Sequence, residues 1–113
     1  MKVTDTSSAE HYRWGEASEG WHLLKRDDLS VIEERVPAGD REQRHYHHRA
    51  RQFFYILRGS AVIEIDGQRH ALGAQQGIEV PPGAAHCFSN ESDAEVVFLV
   101  VSAPRSHGGR VNA

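Results

Sequence analysis

His45 and His47, histidines at alternate positions, are the residues of this chain best placed for chemistry. Successive strand side chains point to opposite faces, so on one strand the two imidazoles share a face, with Cβ atoms about 7 Å apart. At that separation they converge on one ion. Counting back by twos puts Gln43 on the same face and turns Tyr46 and His48 away from it. Gln52 then opens a run, Gln-Phe-Phe-Tyr-Ile-Leu-Arg, whose aromatic and β-branched residues suit a strand, with Phe54 and Ile56 on the face of Gln52. Further on, a turn at Pro81, Pro82 and Gly83 precedes His86; the same alternation points Phe88 inward, sets Asn90 near the strand end and turns Cys87 outward.

The stretch from Gly39 to Gly59 resembles the first motif of the cupin family: Gly, five residues, His-x-His, three or four residues, Glu, six residues, Gly. Gly39, His45, His47 and Gly59 match, and Gln52 stands where the family has Glu. The second motif, Pro-x-Gly-x-x-His-x-x-x-Asn, matches at Pro81, Gly83, His86 and Asn90; its leading glycine, taken as Gly73, is two residues further from Pro81 than usual. Both motifs and the segment between them cover about half of the chain. The resemblance implies an all-β cupin fold, a double-stranded β-helix or jelly-roll barrel. It also implies one divalent transition metal ion (Zn, Ni, Fe or Mn) held by His45, His47 and His86, with Gln52 as fourth ligand through its side-chain oxygen.

Three neutral imidazoles converging in a closed space suit a divalent transition ion; the alternative is three histidines satisfied by hydrogen bonds inside the barrel. Three imidazoles and an amide carry no charge, so the ion keeps its full +2, where the usual Glu would reduce it. Such a centre polarises an oxygen ligand, attracts an anion and resists oxidation. That favours a Lewis acid acting on a carbonyl or sugar-acid substrate by isomerisation, ring opening or cyclisation, the chemistry of similar small cupins. A metal-dependent dioxygenase and a non-catalytic sensor or binding module are the alternatives. Phe54, Ile56 and Phe88, with Phe98, and Gln43 beside the histidines, form the expected substrate pocket. No Asp or Glu falls on the inferred inner face of either motif, so a catalytic base must come from the flanks or from the metal centre itself.

Stepwise alternation of strands and turns supplies the frame. At 113 residues the chain makes one small domain that buries roughly two thirds of its unfolded surface. Its 13 basic residues are scattered among 16 acidic ones for a net charge of −3, which leaves no basic stripe for nucleic acid or an anionic membrane. No apolar run approaches a membrane span, the N-terminus lacks a signal-peptide pattern, and the single Cys87 cannot pair within the chain; a cytoplasmic protein is expected.

Residues 1–20 read as an N-terminal arm, poorly ordered over the first ten, with Trp14 (and Trp21, just beyond) sealing a barrel end or an interface, or lining a ligand pocket. Residues 21–103 read as the barrel and 104–113 as a tail. Within the barrel, Leu23 and Leu24 belong to one strand and Leu29 to Val36 to the next. Asp66-Gly67 is the favoured centre of a type I′ hairpin between Ser60 to Ile65 and Gln68 to Leu72. Gly77 to Val80 is a short strand stopped by prolines, and Glu95 to Val101, apolar on both faces, is a central strand. Phe53, Tyr55 and Leu57 face away from the pocket and make an apolar outer surface, from which a homodimer is expected.

Overall fold

A computed structural model describes residues 1–106 and 110–113. Those residues form eleven strands and no helix: β1 (Glu10–Trp14), β2 (Ser18–Lys25), β3 (Ser30–Val36), β4 (His45–His47), β5 (Arg51–Arg58), β6 (Ala61–Ile65), β7 (Gln68–Leu72), β8 (Gly77–Val80), β9 (His86–Ser89), β10 (Val96–Ala103) and β11 (Arg110–Asn112). They build two antiparallel sheets, one ordered β1-β2-β3-β10-β5-β8 and the other β11-β4-β9-β6-β7. The fold is the all-β double-stranded β-helix expected from the motifs.

Alternation decides which side chains enter the space between the sheets. On β5 the buried residues are Gln52, Phe54 and Ile56, while Phe53 keeps 43% of its surface exposed. Apolar residues of both sheets meet in one core, in which Phe88 and Phe98 stack with ring centroids 4.0 Å apart and Phe54 packs 5.8 Å from Phe88. β10 is central, paired to β3 on one side and β5 on the other, as its two apolar faces require. Asp66 and Gly67 both have positive φ, 48° and 88°, the signature of a type I′ turn between β6 and β7.

The N-terminal segment differs from an arm. β1 and β2 form a hairpin that extends the six-stranded sheet at its edge, with Trp14 packed against the core. Before it, the Asp5 side chain accepts from the amides of Ser7 and Ser8, so the expected disordered start contains an Asx-type turn. Residues 110–112 of the tail are also a strand, β11, laid against β4.

Candidate metal centre and its cavity

β4 brings His45 and His47 inward, 4% and 6% exposed, and pairing with β9 sets His45 directly opposite His86, 1% exposed. The turn that delivers His86 is tied to β4, since Gly83 N–H donates to the His47 carbonyl at 2.8 Å. Candidate ligand atoms of the three histidines all lie within 4.8 Å of one another. Two nitrogens on one tetrahedral ion, each at about 2.1 Å, lie about 3.4 Å apart, so the widest-spaced pair needs to close by at most about 1.4 Å.

Two of the rings are oriented by backbone carbonyls two residues upstream. His45 Nδ1–H donates to the Gln43 carbonyl at 2.6 Å and His86 Nδ1–H to the Ala84 carbonyl at 2.9 Å. A carbonyl only accepts, so the proton sits on Nδ1 and each Nε2 keeps its lone pair for an ion. Gln52 is held in the same way: its Nε2 donates to Ser102 Oγ at 3.0 Å, across the β5–β10 pair. Buried and without a hydrogen-bond partner are His86 Nε2, His47 Nδ1 and Gln52 Oε1. Orphaned polar atoms of this kind are costly unless something binds them, and the neutral nitrogen and oxygen donor set fits a divalent transition ion. Burial pushes the imidazoles of His45 and His47 down to about 3 and about 4 and lowers that of His86, which keeps all three neutral and competent as ligands.

Residues 32–102 match the family model for the cupin domain. The chain belongs to the cupin family. It is 34% identical over 77 residues, 66% of its length, to the polyketide synthase CurC of Streptomyces cyaneus, and spans 50% of that protein. Among solved structures, the polyketide cyclase RemF of Streptomyces resistomycificus superposes with a TM-score of 0.84 at 20% identity, covering 100% of this chain and 85% of the cyclase. A sugar phosphate isomerase of the cupin superfamily from Silicibacter pomeroyi gives a TM-score of 0.76 at 25% identity over 89% of this chain and 74% of its own.

His45, His47 and Gln52 of this cupin open on a cavity of about 640 Å³. Gln43 and Phe54 line it, as does Trp14 from the N-terminal hairpin. Ile56, Phe88 and Phe98, expected at the pocket wall, lie in the core instead, each 1% exposed or less. The physical reason is depth: they share the inner face with the pocket residues but sit where the two sheets close on each other.

The expectation that no carboxyl reaches the inner face of the motifs is overturned. Glu42, inside the first motif, and Glu34, on β3, both line the cavity, with Tyr12 and Arg110 beside them. Residues 42–44 are not regular strand, so counting by twos back from His45 loses the parity there, and Glu42 and Gln43 both face the cavity. Glu42 Oε1 accepts from the Phe88 amide at 3.0 Å, and Tyr12 Oη–H donates to Glu34 Oε2. Burial raises the Glu34 carboxyl to about 7 and, with the charge of Glu34 adding to it, the Glu42 carboxyl to about 8. One available signal was the alternation of Ile32 and Val36, which puts Glu34 on the core side; Val31 on the other face obscured it. Cys87 is only partly buried, its thiol donating to the Glu42 carbonyl outside the metal cluster.

Proposed function

We propose that this cupin is a metal-dependent enzyme acting on a small carbonyl compound or sugar acid by isomerisation, ring opening or cyclisation. The observation that carries the reading is the set of unpartnered polar atoms on His47, His86 and Gln52, clustered with His45 beside a cavity that His45, His47 and Gln52 line. His45, His47 and His86 through nitrogen and Gln52 through Oε1 would hold the ion. A divalent ion bound there supplies Lewis-acid polarisation of a carbonyl oxygen. The chain itself does the rest: Trp14, Ile32 and Phe54 present an apolar wall that excludes water, while Arg41 and Arg110 bring positive charge to the same cavity and orient an anionic substrate. Names among the relatives, a polyketide cyclase and a sugar phosphate isomerase, support a carbonyl substrate. A homodimer through the outer face of β5 and a cytoplasmic location complete the proposal; the lone Cys87 supports a reducing compartment.

The test begins with metal analysis of untagged protein, then reconstitution with Zn, Ni, Fe or Mn in separate samples. Keto sugar acids and short poly-β-ketone chains are assayed with each, alongside oxygen uptake. Stoichiometric metal and turnover without oxygen consumption are expected. Turnover that requires oxygen would replace this reading with a dioxygenase, and failure to bind any of the four metals would remove it.

A further inference from the structure

The two carboxyls in the cavity wall have no part in holding an ion, and one is presented by an unusual arrangement across the sheet. Tyr12 on β1 pairs with Gly20 on β2, and Gly20 pairs with Glu34 on β3. The three positions therefore form a row perpendicular to the strands. Neighbouring strands are about 4.8 Å apart, so Tyr12 and Glu34 are separated by roughly 10 Å of sheet, more than a tyrosine side chain alone spans. It reaches because the middle residue has no side chain: a Cβ at Gly20 would collide with the Tyr12 ring, which lies over that position and carries its hydroxyl to Glu34 Oε2. Glu34 Oε1 makes no hydrogen bond among the described residues, and the side chain lines the cavity that His45, His47 and Gln52 also line.

We propose that Glu34 is the acid–base residue of this cavity, with Tyr12, laid over Gly20, as the residue that positions its carboxyl, and that the substrate is a 1,3-dicarbonyl compound. This rests on the metal-dependent reading above. Glu34 takes the proton from the carbon between the two carbonyls; the C–H bond breaks, its electron pair moves into an enolate, and the proton lands on Oε1. The protonated carboxyl then returns it, either to another carbon, which isomerises the substrate, or to the alkoxide formed when the enolate carbon adds to a second carbonyl, which closes a ring. Atoms and electrons balance with no co-reactant. A 1,3-dicarbonyl is the class whose C–H proton is acidic enough for a carboxylate once one oxygen is polarised.

The groups facing Glu34 are Tyr12 from β1, Glu42 from the segment before β4 and Arg110 from β11. Burial raises Glu34 to about 7, against the lowering effect of the Tyr12 hydrogen bond and of Arg110, so near neutrality it can both accept and donate a proton. Glu42, raised to about 8, stays mostly protonated there and is the weaker candidate for base.

Two measurements test the role. In metal-free protein, infrared difference spectroscopy should show a protonated-carboxyl band lost between about pH 6 and 8. Glu34→Gln should delete one component of that band, and Tyr12→Phe and Gly20→Ala should move it to higher pH, because each removes the hydrogen bond that favours the carboxylate. In zinc-loaded protein, the probe is ethyl 2-methylacetoacetate in deuterium oxide, with exchange of its C2 proton followed by NMR. Glu34→Gln should slow the zinc-dependent exchange by about 100-fold or more with zinc content unchanged, and Tyr12→Phe should shift the acidic limb of the pH profile upward. Exchange that Glu34→Gln leaves unchanged overturns the role of Glu34 alone. An infrared band that Tyr12→Phe does not move overturns the positioning by Tyr12. Absence of zinc-dependent exchange in the unaltered protein overturns the metal-dependent reading, and the role of Glu34 with it.

Discussion

Three of the four candidate ligands are aimed by one hydrogen bond each: His45 by the Gln43 carbonyl, His86 by the Ala84 carbonyl and Gln52 by the Ser102 hydroxyl. Because such supporting contacts alone are commonly worth 10- to 100-fold in metal affinity, loss of a ligand should cost at least about 100-fold. His86→Ala is expected to lose the ion to a mild chelator while circular dichroism still reports a folded β-protein. The hole left beside Phe54 should cost a few kcal/mol, about 2, which the remaining apolar core can absorb. Stoichiometric metal after dialysis would exclude His86 as a ligand. Gln52→Glu keeps the side-chain length and adds a charge. Ser102 Oγ, which accepts from the amide, can turn its hydroxyl to donate to the carboxylate, and the carboxylate should hold the ion more tightly. A carboxylate about 5 Å from a substrate anion costs roughly 3 kcal/mol at an effective dielectric near 20, less once the ion is shared, so turnover of an anionic substrate should fall. Isothermal titration with zinc, together with kinetics, checks both halves; weaker zinc binding in the variant would take Gln52 out of the coordination sphere.

Turns between strands carry much of the positional information at the next scale. Gly59, which closes the first motif after β5, has φ +87°, and a Cβ built there would sit 2.6 Å from the Glu95 carbonyl oxygen and 3.0 Å from Val96 Cα. Both neighbours are backbone at the start of β10 and cannot rotate away. Gly67 has nearly the same φ, +88°, but open space around it. The pair separates the conformational cost from the steric one. Gly67→Ala should destabilise by about 1 kcal/mol, the price of a left-handed L-residue, and Gly59→Ala by about 2–4 kcal/mol. Urea midpoints at unchanged m-value measure the difference; equal costs would show that the approach of β10 to Gly59 carries no constraint. Asn90 does comparable pinning at the end of the second motif: its Nδ2 donates to the Val36 and Ala94 carbonyls and its Oδ1 accepts from Ser92, joining the end of β9 to β3 and to the start of β10.

For the whole molecule, the β5–β10 part of the six-stranded sheet carries an apolar patch on the face turned away from the cavity. Phe53 stacks on Tyr55 with centroids 6.5 Å apart, and the register sets Val101 beside Phe53 and Leu99 beside Tyr55. Ion pairs rim this surface, Arg51 with Glu79 and Arg35 with Glu95. An apolar centre inside a charged rim has the anatomy of a subunit interface. Sedimentation equilibrium at micromolar concentration should give a dimer, and Phe53→Glu should shift it to monomer without disturbing the histidine cluster, which lies on the other side of the sheet. A monomer at every concentration would refute the assembly.

His45 and His47 were legible as partners because strand alternation is a local rule that needs only positions two apart, and His86 and Asn90 because a Pro-Gly turn fixes where the next strand begins. The same locality made the Asp66-Gly67 hairpin and the double-faced β10 readable, since turn chemistry and two-sided burial leave their mark within a few residues. Glu42, Tyr12 and Arg110 left no comparable mark, and that of Glu34, the alternation of Ile32 and Val36, was obscured by Val31. All four reach one cavity from separate parts of the chain, and no short-range pattern encodes which strand of one sheet will lie over which of the other. Glu42 escaped because the segment before β4 abandons strand geometry, and Tyr12 because its contact with Glu34 depends on a bare Gly20 two strands wide of the motifs. Depth within the sandwich was equally non-local: Phe54 and Phe88 share one inner face by alternation, yet closure of the two sheets makes Phe54 a cavity wall and Phe88 core.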